Sequence, residues 1–187
     1  EYRSRLAALE AVLDCLFKDR FAHAMVCAGF PTPRTTAAAD AEEAAEAAEA
    51  IGYPVLVKPR SHVGIGIDRG GLVRTPEEMP HAFHRYEIPS YRRYVAERYP
   101  ELALPLVQEY LAPERYDVVS VSGHLDLRGR AEAVNYARKR AFWPTRTGIG
   151  TLFERIPEPP FGEHAGEAAS RVLGRGIFEL EVLVDRT

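Results

Sequence analysis

Lys58 is the residue whose type and position most directly suggest chemistry. It follows the apolar segment Val55-Leu56-Val57, which is typical of a short buried strand, and Pro59 comes directly after it. A lysine at the end of a stiff strand presents its ammonium group as a point charge, which suits a phosphate. The ordinary alternative is a lysine that extends from the strand end into solvent.

The segment after Lys58 favours the first interpretation. Ser61, Gly64 and Gly66 lie in a polar, glycine-bearing loop. Loops of this kind bring backbone N–H groups close to phosphate oxygens. The Gly64-x-Gly66 pair is a weak signal by itself, but next to a strand-end lysine it predicts a phosphate-binding loop.

A second candidate group ends the apolar strand predicted at residues 104–110. A strand that links two lobes can offer its backbone to the edge of an adenine ring, and this role falls on Gln108, Glu109, Tyr110 and Leu111. Asp117, eight residues after Glu109, could accept hydrogen bonds from ribose hydroxyl groups. Taken alone, each carboxylate is more typical of a solvated turn than of a binding site.

A third candidate group combines cations and a carboxylate. Arg138, Lys139 and Arg140 are consecutive on a predicted strand, so at least one must point opposite the others. Clustered cations beside a nucleotide would neutralise a phosphoryl group in transfer, although a solvent-facing charge run is an equal alternative. Glu181 lies in a strongly apolar strand, where an unpaired carboxylate is costly and a magnesium ion would justify it.

The elements that position these residues begin with a helical region at residues 2–28. A break near residues 18–20 divides it into two helices, and Asp19 is suited to cap the second. Gly29 ends that helix, and two prolines impose an extended link. The next helix lies between Asp40 and Gly52, because Asp40 and Glu43 form a capping box.

The rest of the chain mixes strands and helices. In the final strand, Phe178, Leu180, Val182 and Val184 share one face, while Glu179, Glu181 and Leu183 share the other. The mixture lacks regular βαβ alternation and predicts an α+β fold of two lobes. Strands are predicted at 55–57, 71–73, 104–110, 116–121, 131–141 and 176–185, with helical segments from residue 75 and at 162–173.

Composition limits the class of protein. The chain has 187 residues, 46% of them hydrophobic and 27% charged, with a formal net charge of −3. This charge argues against a general nucleic-acid binder, and no apolar run is long enough to span a membrane. Cys15 and Cys27 lack the spacing of a zinc site or a disulfide framework, so we expect buried free thiols and a cytoplasmic location.

Taken in order, these segments resemble the ATP-grasp superfamily. The resemblance extends from about Lys18 to Asp185. It is carried by Lys18-Asp19-Arg20, by the Gly-x-Pro-x-Pro link at 29–33, and by the segments 53–59, 107–111 and 176–182, with Asp117 in the expected place. It implies two α+β lobes that enclose a nucleotide cleft: a preceding helix or linker at 1–17, a first lobe at 18–108 and a second lobe at 109–187, incomplete at its C-terminal end.

Within the superfamily, Arg138-Lys139-Arg140 with Trp143-Pro144 and the segment 148–151 resembles carboxylate–amine ligases similar to D-aspartate ligase. The resemblance implies that ATP phosphorylates an acid and that an amine then displaces phosphate. Its implied cofactors are ATP and Mg²⁺, its partners are small-molecule acids and amines, and it leaves room for a homodimer. Lys58 and the glycine loop would hold phosphates, Arg138 and Arg140 would steady the phosphoryl group or the acid, and Glu181 would bind magnesium.

Two departures keep other interpretations open. Arg20 stands where the family usually has a second nucleotide-contacting lysine, and the strand expected to supply further metal ligands would lie after Thr187. A non-catalytic nucleotide-binding module with the same fold is therefore one alternative. A relative of the enzymes that carboxylate a cofactor with bicarbonate is another.

Overall fold

The computed structural model describes residues 6–61, 71–84, 93–143 and 149–187. The chain forms two compact units: a first unit of residues 13–26 and 31–110, and a second unit of residues 1–12, 27–30 and 111–187. Each unit contains a four-stranded antiparallel sheet with helices, which is the predicted α+β class. Gly64, Gly66 and the segment 144–148, all named in the sequence-based predictions, lie outside the described residues.

The first unit is built on a sheet with the strand order β1-β4-β2-β3. Helices α1 and α2 precede it in the chain, and α3, α4 and α5 lie between its strands in sequence. The elements are α1 (Leu9–Leu16), α2 (Lys18–Cys27), β1 (Thr35–Ala37), α3 (Ala41–Ile51), β2 (Val55–Pro59), β3 (Gly71–Val73), α4 (Met79–His84), α5 (Arg93–Arg98) and β4 (Pro105–Glu109).

Helix α3 has the predicted caps and closes the core of the first unit. The Asp40 carboxylate accepts hydrogen bonds from the N–H groups of Glu42 and Glu43, each at 2.9 Å, and Gly52 ends the helix with φ 94°. The Glu43 carboxylate in turn accepts from the Ala39 N–H at 2.9 Å. The helix packs into a buried cluster of Ala38, Ala44, Ala48, Ile51, Val55, Val57, Val73, Met79 and Val107.

The second unit has a sheet with the strand order β7-β6-β5-β8. The strands predicted at 116–121 and 131–141 pair as a hairpin, and the predicted helix at 162–173 and final strand at 176–185 are confirmed. Helix α6 packs against β5, β6 and β8 through buried small residues such as Ala165 and Ala168. The elements are β5 (Tyr116–Leu125), β6 (Ala131–Trp143), β7 (Ile149–Arg155), α6 (Gly162–Leu173) and β8 (Gly176–Asp185).

Some local predictions were wrong. Cys15 and Cys27 are exposed rather than buried, because the helical positions they occupy face away from the core. Asp19 does not cap α2: the helix already begins at Lys18, and the Asp19 carboxylate binds Arg60 instead. Strands β1 and β7 were not predicted; β1 has only three residues and is defined by its pairing with β4.

Within the described part of the chain, none of the helices has both the length and the apolar character that crossing a membrane requires.

Candidate functional site

Lys58 lies on the side of β2 that faces away from the core of the first unit. The strand alternates, so Val55 and Val57 enter the core cluster while Leu56 and Lys58 point the other way. The Lys58 side chain is nevertheless largely desolvated, and this burial lowers its pKa to about 8. Among the described residues, no group accepts a hydrogen bond from its ammonium group.

Lys18 accompanies Lys58, although its sequence context predicted no separate role for it. Its ammonium group donates a 2.7 Å hydrogen bond to the Pro59 carbonyl, directly after Lys58. Burial first, and the positive charge of Lys58 second, lower the pKa of Lys18 to about 8. Two desolvated ammonium groups that repel each other form a site suited to an anion, and a polyphosphate supplies the required charge.

The chain segments that carry the two lysines are joined by their backbones and by an ion pair. The Lys18 N–H donates to the Arg60 carbonyl at 2.8 Å, and Phe17 forms a β-bridge with the buried Ser61. Arg60 binds the Asp19 carboxylate through Nε at 3.0 Å and Nη2 at 2.5 Å. Burial opposes ionisation of Asp19, but the hydrogen bonds from Arg60 outweigh it and its pKa is lowered.

Arg20, the residue predicted to contact the nucleotide, has other neighbours. Its guanidinium carbon lies 4.6 Å from the centre of the Phe17 ring, and Nη2 lies 3.5 Å from the Glu101 carboxylate. Its side chain is 41% exposed, in contrast to the desolvated Lys18. The geometry therefore favours Lys18 over Arg20 as the second cation beside Lys58.

The sequence carries a signal that would have identified Lys18. Of its 24 lysines and arginines, three are lysines: Lys18, Lys58 and Lys139. The other lysine or arginine positions are all arginine, so the three lysines mark positions where arginine would not serve equally well. Arginine stays protonated in proteins, whereas a buried lysine lowers its pKa and acts as a compact charge.

The lowered pKa values predict a pH dependence of stability. Both lysines have a folded-state pKa of about 8 against an ordinary value of 10.5, so the unfolded chain binds more protons between these values. The free energy of unfolding should therefore rise as the pH increases from about 8 towards 10.5. Urea unfolding between pH 7.5 and 9.5 measures this rise. The Lys58→Met variant should show a smaller rise, and an equal slope in both proteins would contradict the assignment.

The predicted adenine-edge segment lies at the end of β4. The Gln108 amide donates to the Thr35 hydroxyl at 2.7 Å, and the Glu109 N–H donates to the Arg34 carbonyl at 2.8 Å. The Glu109 carboxylate accepts from Arg34, which lowers its pKa. These bonds fasten the strand end to β1, and Tyr110 and Leu111 follow it outside the strand, half-buried.

The second unit separates the three consecutive cations of β6, as alternation predicted. Lys139 points to the face that carries Glu181, and its ammonium group contacts the Glu181 carboxylate. Arg138 and Arg140 point the other way; Arg140 Nε lies 2.9 Å from the Glu154 carboxylate. One face of the sheet therefore carries a lysine with a carboxylate, and the other carries two arginines.

Asp117 belongs to the arginine face. One of its carboxylate oxygens accepts a 2.8 Å hydrogen bond from Arg186, and the other lies 3.5 Å from Arg138 Nε. Because Asp117 pairs with Val184 and Ser120 pairs with Glu181 in the β5–β8 ladder, Asp117 and Glu181 lie on opposite faces. Both oxygens of the carboxylate that was predicted to bind ribose therefore face arginine side chains of the second unit.

Glu181 is 55% exposed and paired, so the expectation of a costly buried charge was wrong. Its face also carries Glu179, which accepts a 2.7 Å hydrogen bond from the buried Ser120 hydroxyl. Carboxylate oxygens are the ligands that magnesium prefers, so this donor chemistry fits the ion. The described residues contain no cluster of three or more histidine, cysteine, aspartate or glutamate side chains.

A family model and a curated relative each match part of the chain. The family model described as the carbamoyl-phosphate synthase L chain, ATP binding domain, matches residues 17–93. The β subunit of the ADP-forming succinate–CoA ligase of Haloarcula marismortui is 47% identical over 57 residues, which are 29% of this chain and 15% of that protein.

Solved structures extend the similarity to nearly the whole chain. The structure of the Campylobacter jejuni biotin carboxylase complex matches with a TM-score of 0.69 at 21% identity. The match covers 97% of this chain and 40% of the biotin carboxylase chain. The Bacillus licheniformis L-amino acid ligase gives 0.60 at 13% identity, with 94% and 38% covered. The chain thus spans less than half the length of these relatives, and it has the same α+β fold, that of the ATP-grasp structures.

Proposed function

Because the chain has the ATP-grasp fold, we propose that it is the ATP-binding part of an ATP- and magnesium-dependent carboxylate–amine ligase. The observation that carries ATP binding is the desolvated pair Lys18 and Lys58 in the region that matches an ATP-binding family model. The finer assignment to carboxylate–amine ligases similar to D-aspartate ligase is supported by the basic strand at Arg138-Lys139-Arg140.

In the first unit, Lys18 and Lys58 would hold the phosphates of the nucleotide. Their ammonium groups are already desolvated, so an anion that binds between them gains charge–charge attraction with little further dehydration of the cations. The loop with Ser61, Gly64 and Gly66 would add backbone N–H donors. The segment Gln108 to Leu111 would contact the adenine.

In the second unit, Glu181 would hold magnesium, with Glu179 beside it on the same face. Magnesium, when bound, supplies positive charge to the phosphate oxygens. Lys139 lies on this face and would steady the transferred phosphoryl group. Arg138, Arg140 and Asp117 take part in this proposal only if their present ion pairs open.

The chemistry would proceed in two steps. An acid carboxylate oxygen attacks the γ-phosphorus of ATP, the bond to the β–γ bridging oxygen breaks, and ADP leaves. The amine nitrogen then attacks the acyl carbon of the acyl phosphate, phosphate leaves, and the nitrogen loses a proton. An amide forms, and the cations named above stabilise the charge that develops on phosphate oxygens.

The test is phosphate release from ATP by the full-length protein that contains this chain, with a panel of acids and amines. Release should require an acid, and an acid labelled with ¹⁸O in its carboxylate should deliver one ¹⁸O atom to the phosphate. Product amide should appear only when an amine is also present. The matched control is the same assay with Lys58→Met.

Other outcomes would select other functions. Release that depends on bicarbonate alone would replace the proposal with a carboxylase-type reaction. Transfer of the acyl group to coenzyme A, rather than to an amine, would place the enzyme with the thiol ligases. Nucleotide binding without release for any acid would indicate a non-catalytic module.

A further inference from the structure

Lys139 is held in one position by its own sheet. Its side chain is 7% exposed, and its ammonium group lies 5.7 Å from the centre of the Phe153 ring. Gly150 gives it room, because a Cβ atom there would lie 3.1 Å from Lys139 Cδ and 2.7 Å from a Phe153 ring carbon. The stem of Lys139 therefore packs against Gly150 and Phe153 of strand β7, and its charged end is directed to Glu181.

At that end, the ammonium group already contacts the carboxylate that would hold magnesium. Lys139 contacts Oε1 of Glu181, and the carboxylate remains half exposed to solvent. An ammonium group and a divalent cation repel each other, and the ammonium group holds one of the two carboxylate oxygens. A metal ion therefore binds Glu181 more weakly while Lys139 keeps this contact.

We propose that the Lys139 ammonium group is paired with the Glu181 carboxylate in the nucleotide-free protein. When the nucleotide binds, the ammonium group leaves Glu181 and pairs with a phosphate oxygen. This inference rests on the proposed function. Phosphate offers the lysine a replacement anion, so nucleotide binding frees the carboxylate at the moment when the metal is needed. Metal and nucleotide therefore bind with positive coupling, and the coupling is reciprocal.

The experiment measures Mn²⁺ binding by electron paramagnetic resonance, first without nucleotide. The Lys139→Met variant should bind Mn²⁺ about tenfold more tightly than the wild type, because an ion pair of about 1.4 kcal/mol no longer competes. Arg130→Met removes one charge from an exposed pair in the same unit and should leave the affinity unchanged. Glu181→Gln should abolish the gain in the double variant with Lys139→Met.

The second arm repeats the titration with a saturating non-hydrolysable ATP analogue. In the wild type the analogue should tighten Mn²⁺ binding by about tenfold more than it does in Lys139→Met, since the variant has no contact left to release. Gly150→Ala displaces the lysine without removing its charge, so it should also tighten Mn²⁺ binding in the absence of nucleotide. It replaces Lys139→Met as the test variant if Lys139→Met does not fold.

Equal nucleotide-free Mn²⁺ affinities in the wild type and in the folded variants would overturn the inference. So would a gain in Lys139→Met that persists when Glu181 is also replaced. Failure of every variant to bind the analogue would instead contradict the proposed function. The nucleotide-free arm would still report on the contact between Lys139 and Glu181.

Discussion

Replacing Lys58 with methionine is expected to weaken ATP binding about 100-fold while making the folded protein more stable at neutral pH. The loss follows because a charge-assisted contact to phosphate contributes about 1.5–3 kcal/mol. The gain follows because burial disfavours the ammonium form, as the lowered pKa of about 8 records. Methionine keeps the length and the apolar stem of lysine without the charge.

Two measurements on the same variant check this prediction. Calorimetric titration with an ATP analogue gives the affinity, and urea unfolding at pH 7 gives the stability. Arg74→Met is the matched control, because Arg74 is an exposed cation at the end of β3 in the same unit and its loss should change neither quantity. A destabilised Lys58→Met with unaltered ATP affinity would show that the lysine has only a structural role.

Lys18→Met and Arg20→Met should have very different effects on nucleotide binding. We expect Lys18→Met to lose affinity by about 30-fold, since its desolvated ammonium group lies beside Lys58. Arg20→Met should change the affinity less than about threefold, because its guanidinium is exposed and paired with Glu101, and exposed ion pairs contribute little.

The two variants remove the same charge from positions two residues apart on α2, so each controls for the other. Affinity for the ATP analogue is measured at constant ionic strength, with circular dichroism to confirm that α2 remains folded. A larger loss for Arg20→Met would restore the role that the family resemblance gave it. Equal losses of affinity in the two variants would indicate that the total positive charge at the start of α2 determines binding, and that no single lysine–phosphate contact does.

Local patterns predicted the elements that are determined locally. Helix α3 was predicted from Asp40, Glu43 and Gly52, since caps depend on residues three to twelve positions apart. Strand β8 was predicted from its period of two, which a buried face imposes on any strand. Both are confirmed at their predicted positions.

Features that depend on distant partners could not be read in this way. Strand β1 is three residues long and is defined by its pairing with β4, in which Thr35 lies opposite Gln108, 73 residues later in the chain. Lys18 gains its significance from residues about 40 positions later, around Pro59 and Arg60. Strand alternation predicted that Lys139 and Arg138 lie on opposite faces of the sheet. Their carboxylate partners lie on other strands and could not be predicted.

The anchoring of one short segment has a consequence for the order in which the protein is built. Arg171 of α6 donates a 2.7 Å hydrogen bond to the Ala28 carbonyl, and Phe30 packs edge-on against His164, so residues 27–30 belong to the second unit. The first unit is thus inserted within the sequence of the second. During synthesis the ribosome completes residues 13–26 and 31–110 while the partners of residues 27–30 do not yet exist. Lys18 and Lys58 are therefore brought together by the early-completed unit, and Glu181 is synthesised only after that unit is complete.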